Sequence, residues 1–143
     1  MIASTDDPRL ADYRLLTDPH ALRRGGLFVA EGRLVVRRLL AEIRFNVRSI
    51  LVTTPAREAL ADVLDGRRDV YVVEPAVMNA VTGFNRHRGC LAIAERPGTA
   101  ALDASVVASA RRVLVLEGVN NPDNIGALFR SAAGFGVDLV VLG

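Results

Sequence analysis

The chain has no lysine and no tryptophan, one cysteine, two tyrosines and five phenylalanines in 143 residues. One cysteine excludes a disulfide framework and any metal site built on several thiolates. Cys90 sits in the apolar run "CLAIAE", which reads as a buried structural thiol. The longest apolar runs fall far short of the ~20 residues that span a bilayer. The N-terminus, "MIASTDDPRLADY", carries acids early and no apolar stretch, so it does not read as a signal peptide. There is no GxGxxG after a strand and no P-loop, which counts against a nucleotide-binding α/β enzyme of the usual kind. These absences lead to the expectation of a soluble, cytoplasmic protein.

The missing lysine has a consequence of its own. All 18 basic residues are arginine, set against 16 acids, for a formal charge of +2. Bulk charge argues little for nucleic acid, but every phosphate contact available to this chain is a planar, forked, permanently charged guanidinium. Half of the residues are hydrophobic and about a quarter charged, a globular composition. The length suits one ordinary domain, or a small domain and part of a second.

Along the chain, residues 1–26 read as an arm: "RLADYRLL" suggests a short helix that "TDPHALRRGG" interrupts. "LFVAEG" reads as a strand. Residues 31–44 place apolar side chains at 35, 36, 39, 40 and 43, with arginines at 33, 37, 38 and 44 on the other side, which is helical spacing. "VRSILVT", "DVYVVE" and "CLAIAE" follow as strands, separated by the proline-opened helices "PAREALADVL" and "PAVMNAVTG". Strands alternating with helices imply an α/β layer structure with a largely parallel sheet over residues 27–96. Residues 97–110, rich in proline, glycine and small side chains, read as a linker. From 111 to 143 the pattern restarts as strand, loop, helix and strand. "VLVLEG" and "DLVVLG" are apolar on both alternations, as strands covered on two faces are, so this second unit is expected to be the opening β-α-β of a larger layer.

The stretch "LEGVNNPDNIGALFRSAAGFG", residues 116–136, carries the chemistry. Its polar loop follows the carboxyl end of a strand, where ligands collect in open α/β sheets. Asp123 or Asn124 is placed to cap the helix, and free first-turn amides favour an anion. Ile125, Leu128, Phe129 and Ala132 form the stripe expected to face the core. Arg130 lies off that stripe, four residues after Gly126. Helical side chains lean toward the N-terminus, so Gly126 leaves a gap that Arg130 can cross to reach the loop. Glycine inside a helix costs about 1 kcal/mol relative to alanine. Read without other information, the asparagine is equally a plain cap, the arginine a solvated face, and Glu117 an ion-pair partner.

"LVLEGVNNPDNIGALFRSAAGFGVDLVVL" resembles the first motif of the SpoU/TrmH family of RNA methyltransferases, in the SPOUT superfamily. The family pattern has an apolar strand, an acid, a "DP" or "NP" turn, Asn two residues after the proline, Gly two further on, then Arg, a small pair and "FG". Here these fall on Glu117, Asn121-Pro122, Asn124, Gly126, Arg130, Ser131-Ala132 and Phe135-Gly136. Asn121 departs from the frequent Asp. "LFVAEGRLVVRRLL", "ILVT" and "GCLAIAERP" resemble the family's N-terminal substrate-binding domain, although "HRG" at His87–Gly89 replaces its usual "PQG".

The resemblance implies a small three-layer α/β RNA-binding domain followed by the truncated start of a SPOUT methyltransferase domain. It implies 2′-O-methylation of RNA ribose with S-adenosylmethionine as donor, at an active site completed by a homodimer. Asn124 and Arg130 take the catalytic positions, with Glu117 and Gly126 in support. The family's donor-binding motifs lie in a later, knotted segment and neither is present, so this chain alone is expected neither to bind the donor nor to turn over. Arg23, Arg24, Arg33, Arg86 and Arg88 are the candidate RNA-binding residues, from either ribosomal or transfer RNA substrates. The alternative is a stand-alone, non-catalytic RNA-binding module. No metal is expected.

Overall fold

A computed structural model describes residues 1–83, 88–98 and 103–143. Two compact units divide the chain, Met1–Gly98 and Thr99–Gly143.

In the first unit, 3-10 turns at Pro8–Leu10 and Leu15–Thr17 flank α1 (Ala11–Arg14). Then come α2 (Pro19–Arg24), β1 (Leu27–Glu31), α3 (Arg33–Ala41), β2 (Val47–Val52), α4 (Thr54–Ala59), α5 (Ala61–Leu64), β3 (Val70–Val72), α6 (Pro75–Thr82) and β4 (Cys90–Glu95). The strand order is β1-β4-β2-β3. The expectation of a largely parallel sheet is corrected here. Only β2 and β3 run parallel, and β4 is antiparallel to both β1 and β2. An all-apolar strand is buried on two faces whichever way it runs, and Cys90–Ala94 is indeed fully buried because β4 sits inside the sheet.

Alternation along the strands sends side chains to two cores. One face carries Leu27, Leu51, Leu91 and Ile93, packed by Leu10, Tyr13, Leu22, Met78 and Val81. The other carries Ala30, Ile50, Val52, Cys90, Ala92 and Ala94, packed by Val36, Leu39, Ala56, Leu60 and Leu64. The three-layer arrangement is as expected, and the alanines on the second face let α3 lie close to the sheet.

Residues 1–26 are more than an arm. The Ile2 amide donates to the Val72 carbonyl (2.8 Å), and Leu10 and Tyr13 are completely buried. The Tyr13 hydroxyl lies 2.9 Å from Ser49 Oγ, a buried pair in which each group satisfies the other. The single helix expected over 55–64 is two short ones, α4 and α5, broken at Leu60. α6 does open with Pro75 and stop at Gly83, whose left-handed backbone (φ 74°) ends it. α3 buries Val36 and Leu39, but Val35 is exposed and Ile43, beyond the helix end, is fully so.

In the second unit, α7 (Ala104–Ser109) lies within the stretch expected as a linker. β5 (Val113–Leu116), α8 (Pro122–Gly134) and β6 (Leu139–Leu142) follow, with β5 and β6 parallel. The Asp138 carboxylate accepts from the Arg111 and Arg112 amides (3.0 and 2.9 Å), and the Arg112 guanidinium donates to the Phe135 carbonyl (2.8 Å). These bonds tie the end of α8 to the start of β5. Leu116 and Ala132 are buried, whereas Val113 and Val115, on the opposite face of β5, stay exposed. Phe129, expected in the core-facing stripe, is 43% exposed. Among the described residues no helix is long and apolar enough to cross a membrane.

Candidate functional site

The strand β5 ends at Leu116, and Glu117 and Gly118 turn the chain outward, Gly118 with φ 65°. α8 begins at Pro122. Proline suits the first helical position because the amide it lacks has no partner there in any case. The cap is Asn121. Its side-chain oxygen accepts from the amides of Asp123 (2.9 Å) and Asn124 (3.3 Å). The expectation that Asp123 or Asn124 caps the helix is therefore corrected, and the consequence is chemical. Both of those side chains are released from capping, and Asn124 stands exposed at the helix start. The same cap also occupies two first-turn amides that an anion would otherwise use. Asp123 adds a carboxylate in that turn. The helix start is thus largely satisfied by its own residues, which leaves Arg130 as the one cationic side chain on α8.

Arg130 does lean back along the helix. A Cβ placed on Gly126 would lie 3.5 Å from Arg130 Nη1, so the guanidinium covers the glycine. Arg130 is exposed and has no carboxylate partner among the described residues. Asn124 and Arg130 do not touch. Six residues of α-helix set them roughly 120° apart around the axis and about 9 Å along it. Glu117 is exposed, and its Cγ lies 3.9 Å from the Cβ position of Gly143, at the end of the second strand. The four residues therefore border one end of the β5-β6 layer as an open rim.

The candidate RNA-binding arginines divide between the two ends of the first sheet. At one end β1 and β2 finish and β4 begins. The Gly32 amide donates to the Cys90 carbonyl (2.8 Å) and the Thr53 amide to the Gly89 carbonyl (2.9 Å). Arg88 holds φ 47°, the one positive value at a non-glycine among the described residues, and its stem lies 3.9 Å from the Cβ position of Gly32. Arg33 follows Gly32 into α3. Burial pushes the Cys90 thiol up to about 11, opposed more weakly by the Arg33 charge. That thiol is protonated, buried and unreactive, the structural role expected of it. Neither Arg33 nor Arg88 forms an ion pair among the described residues. Arg86 lies outside the described residues. Arg23 and Arg24 close α2 at the other end, where the Arg96 amide donates to Gly26 (2.7 Å), its side chain to Leu27 (3.0 Å), and Arg24 pairs with Asp18 (3.7 Å). The length of β1, roughly 14 Å, separates the two groups. No set of three His, Cys, Asp or Glu side chains converges as a metal site among the described residues.

An α/β unit with an asparagine-capped helix at a strand end, and an arginine bent back over a helical glycine, defines a protein that presents polar and cationic groups at the edge of a parallel layer. Known proteins give that class a specific relationship. No protein-family model matches the chain. An uncharacterized tRNA/rRNA methyltransferase of Mycobacterium tuberculosis is 44% identical over 147 aligned residues, covering 99% of this chain and 50% of that protein. The 23S rRNA (guanosine(2553)-2′-O)-methyltransferase RlmP of Bacillus subtilis is 27% identical, covering 99% of this chain and 54% of its own length. A solved rRNA methyltransferase from Sinorhizobium meliloti superposes with a TM-score of 0.74 at 22% identity, over 99% of this chain and 53% of the other. The SpoU methyltransferase AviRb of Streptomyces viridochromogenes, in complex with AdoMet, superposes with a TM-score of 0.67 over 95% of this chain and 52% of its own. The chain is similar in sequence to curated tRNA/rRNA methyltransferases and shares the fold of solved SpoU-type methyltransferases. It spans about half the length of the curated relatives it matches.

Proposed function

We propose that the chain is the N-terminal part of an S-adenosylmethionine-dependent RNA ribose 2′-O-methyltransferase, acting on ribosomal or transfer RNA as a homodimer. In this reading residues 27–96, packed with the N-terminal segment, bind RNA, and residues 111–143 open the catalytic domain. The observation that carries the reading is the α8 start. Asn121 takes the capping work, so Asn124 is free to organise the site, and Arg130 leans back over Gly126 toward the helix start.

An arginine is effectively always protonated in a protein, so Arg130 is a poor base for the ribose hydroxyl. Its fork suits the neighbouring phosphate bidentately, and its charge stabilises the negative charge that develops on the ribose 2′ oxygen as that hydroxyl loses its proton to solvent. Glu117 and Gly126 support this rim by position and by clearance. S-adenosylmethionine supplies the electrophilic methyl group when bound, but the residues described here do not form its cradle. The strand-to-helix turn after β5 has one glycine before its asparagine cap, and Gly126 lies inside the helix. The part played by this chain is therefore confined to the RNA.

Two measurements test the reading. Methyl transfer by the complete protein to transcribed ribosomal and transfer RNA should depend on Asn124 and Arg130. Calorimetric titration of the 143-residue chain with S-adenosylmethionine should show no binding, and clear stoichiometric heat would overturn the division of labour. The self-contained core of Met1–Gly98 favours a second reading, a non-catalytic RNA-binding module. RNA binding by the complete protein without any methylation would select it.

A further inference from the structure

We propose that the groove between α3 and the edge strand β1 is a seat for one unpaired RNA nucleotide, distinct from the arginines at the sheet ends. The inference rests on the RNA-binding reading of the first unit. The groove encloses about 410 Å³ and is lined chiefly by Phe28, Val35, Arg38, Glu42, Arg44 and Phe45. That volume lies within the ~300–1,000 Å³ range of small-molecule sites.

Four features select a nucleotide. Two of the five phenylalanines in the chain meet here, edge to face, with ring centroids 5.5 Å apart. The Arg44 guanidinium lies 4.9 Å from the Phe45 centroid, so an aromatic ring and a guanidinium plane together form a platform of the kind on which unpaired bases stack. Arg38 stands exposed at the rim with no carboxylate partner among the described residues. A guanidinium left unpaired beside an apolar groove suits a phosphate attached to a buried base. Glu42 supplies the remaining element. Its carboxylate lies 3.6 Å from Arg44 at the same rim and accepts hydrogen bonds without donating any. It therefore favours a base with an exocyclic amino group at the groove mouth, such as cytosine, and disfavours uracil, whose corresponding atom is also an acceptor.

The experiment measures binding of fluorescein-labelled oligocytidine and oligouridine pentanucleotides to the full chain by anisotropy over a salt series. Four substitutions are compared with wild type. Phe45→Leu keeps the apolar volume and removes the ring, and should weaken binding about tenfold. Arg38→Ala should weaken it and lower the salt slope by about one ion. Glu42→Ala should abolish the preference for cytidine over uridine. Arg33→Ala reports on the sheet-end surface. If Arg33→Ala weakens binding and Arg38→Ala and Phe45→Leu do not, the groove proposal fails while the RNA-binding reading stands. If the wild-type chain binds neither oligonucleotide, both fail. If the groove substitutions change the oligomeric state by light scattering and leave RNA affinity alone, the face joins copies of the chain and the proposal is overturned.

Discussion

Gly126 separates two explanations of the candidate site, because alanine and leucine act differently there. The Cβ of an alanine would lie 3.5 Å from Arg130 Nη1, an ordinary van der Waals distance, so Gly126→Ala leaves the guanidinium where it is. It should also strengthen α8 by about 0.5–1 kcal/mol, the usual difference between glycine and alanine inside a helix. Gly126→Leu carries its branched end into the space that the guanidinium occupies. If Arg130 holds an RNA phosphate by two charged hydrogen bonds, displacing it costs about 1.5–3 kcal/mol, or roughly ten- to 150-fold in kcat/KM. The assay is methyl transfer by the complete protein to transcribed RNA, with Arg130→Ala and a thermal unfolding curve for each variant. The expected order is Gly126→Ala near wild type and Gly126→Leu near Arg130→Ala, with folding intact in all. Should Gly126→Ala lose as much as Arg130→Ala, the clearance serves the RNA backbone and not the arginine, and the argument for Arg130 collapses. Wild-type activity in Gly126→Leu would show that Arg130 does not act from this position at all.

Asn121→Ala should destabilise the start of α8 by about 1 kcal/mol, whereas Asn121→Asp should keep the cap; amide exchange at Asp123 and Asn124 reads both, and equal exchange in all three proteins would remove the cap from the argument. Tyr13→Phe leaves the Ser49 hydroxyl buried without its partner and should cost about 1–3 kcal/mol, read by amide exchange along β4. Burial pushes the Tyr13 phenol well above the ordinary tyrosine range, more than the Ser49 hydrogen bond opposes it. The unfolded chain releases that proton near about pH 10 and the folded chain does not, so stability should hold below about pH 10 and fall as the pH rises past it. Tyr13→Phe should flatten that alkaline decline, and an unchanged slope would mean that the phenol is not what the first unit protects.

The local structure of residues 116–136 is legible because it depends on near neighbours. A strand end, a proline, a cap, a helical glycine and an arginine fall within about twenty residues, and nearest-neighbour chemistry fixes each of them. Even so, the local pattern points to the wrong capping residue. Four of the five residues from 120 to 124 are Asn or Asp, and only the proline at the first helical position singles out the one before it. The direction of β4 was hidden for a different reason. Alternation and apolar content record which faces a strand buries, and these are alike for parallel and antiparallel neighbours. The packing of the N-terminal segment is not legible locally because its partners, Ser49, Val72 and Val73, are distant in sequence. The stripe on α3 was overestimated, since a helix period continued past Ala41 counts Ile43 as buried when the helix has already ended.

Asparagine at position 121 also bears on how the site handles charge. An aspartate would accept the same two amide protons and would interact more strongly with the positive end of α8. It would also add a second full negative charge to a turn that already holds Asp123. An RNA phosphate approaching Arg130 would then meet two carboxylates at the helix start. With asparagine the cap is kept by a neutral oxygen, and Asp123 remains the one carboxylate in the first turn of α8. On this argument Asn121→Asp, which preserves the fold of the loop, should still weaken RNA binding, with the loss shrinking as salt rises because it is electrostatic. A salt-independent loss would point instead to altered loop geometry, and no loss at all would mean that the phosphate never comes near the helix start.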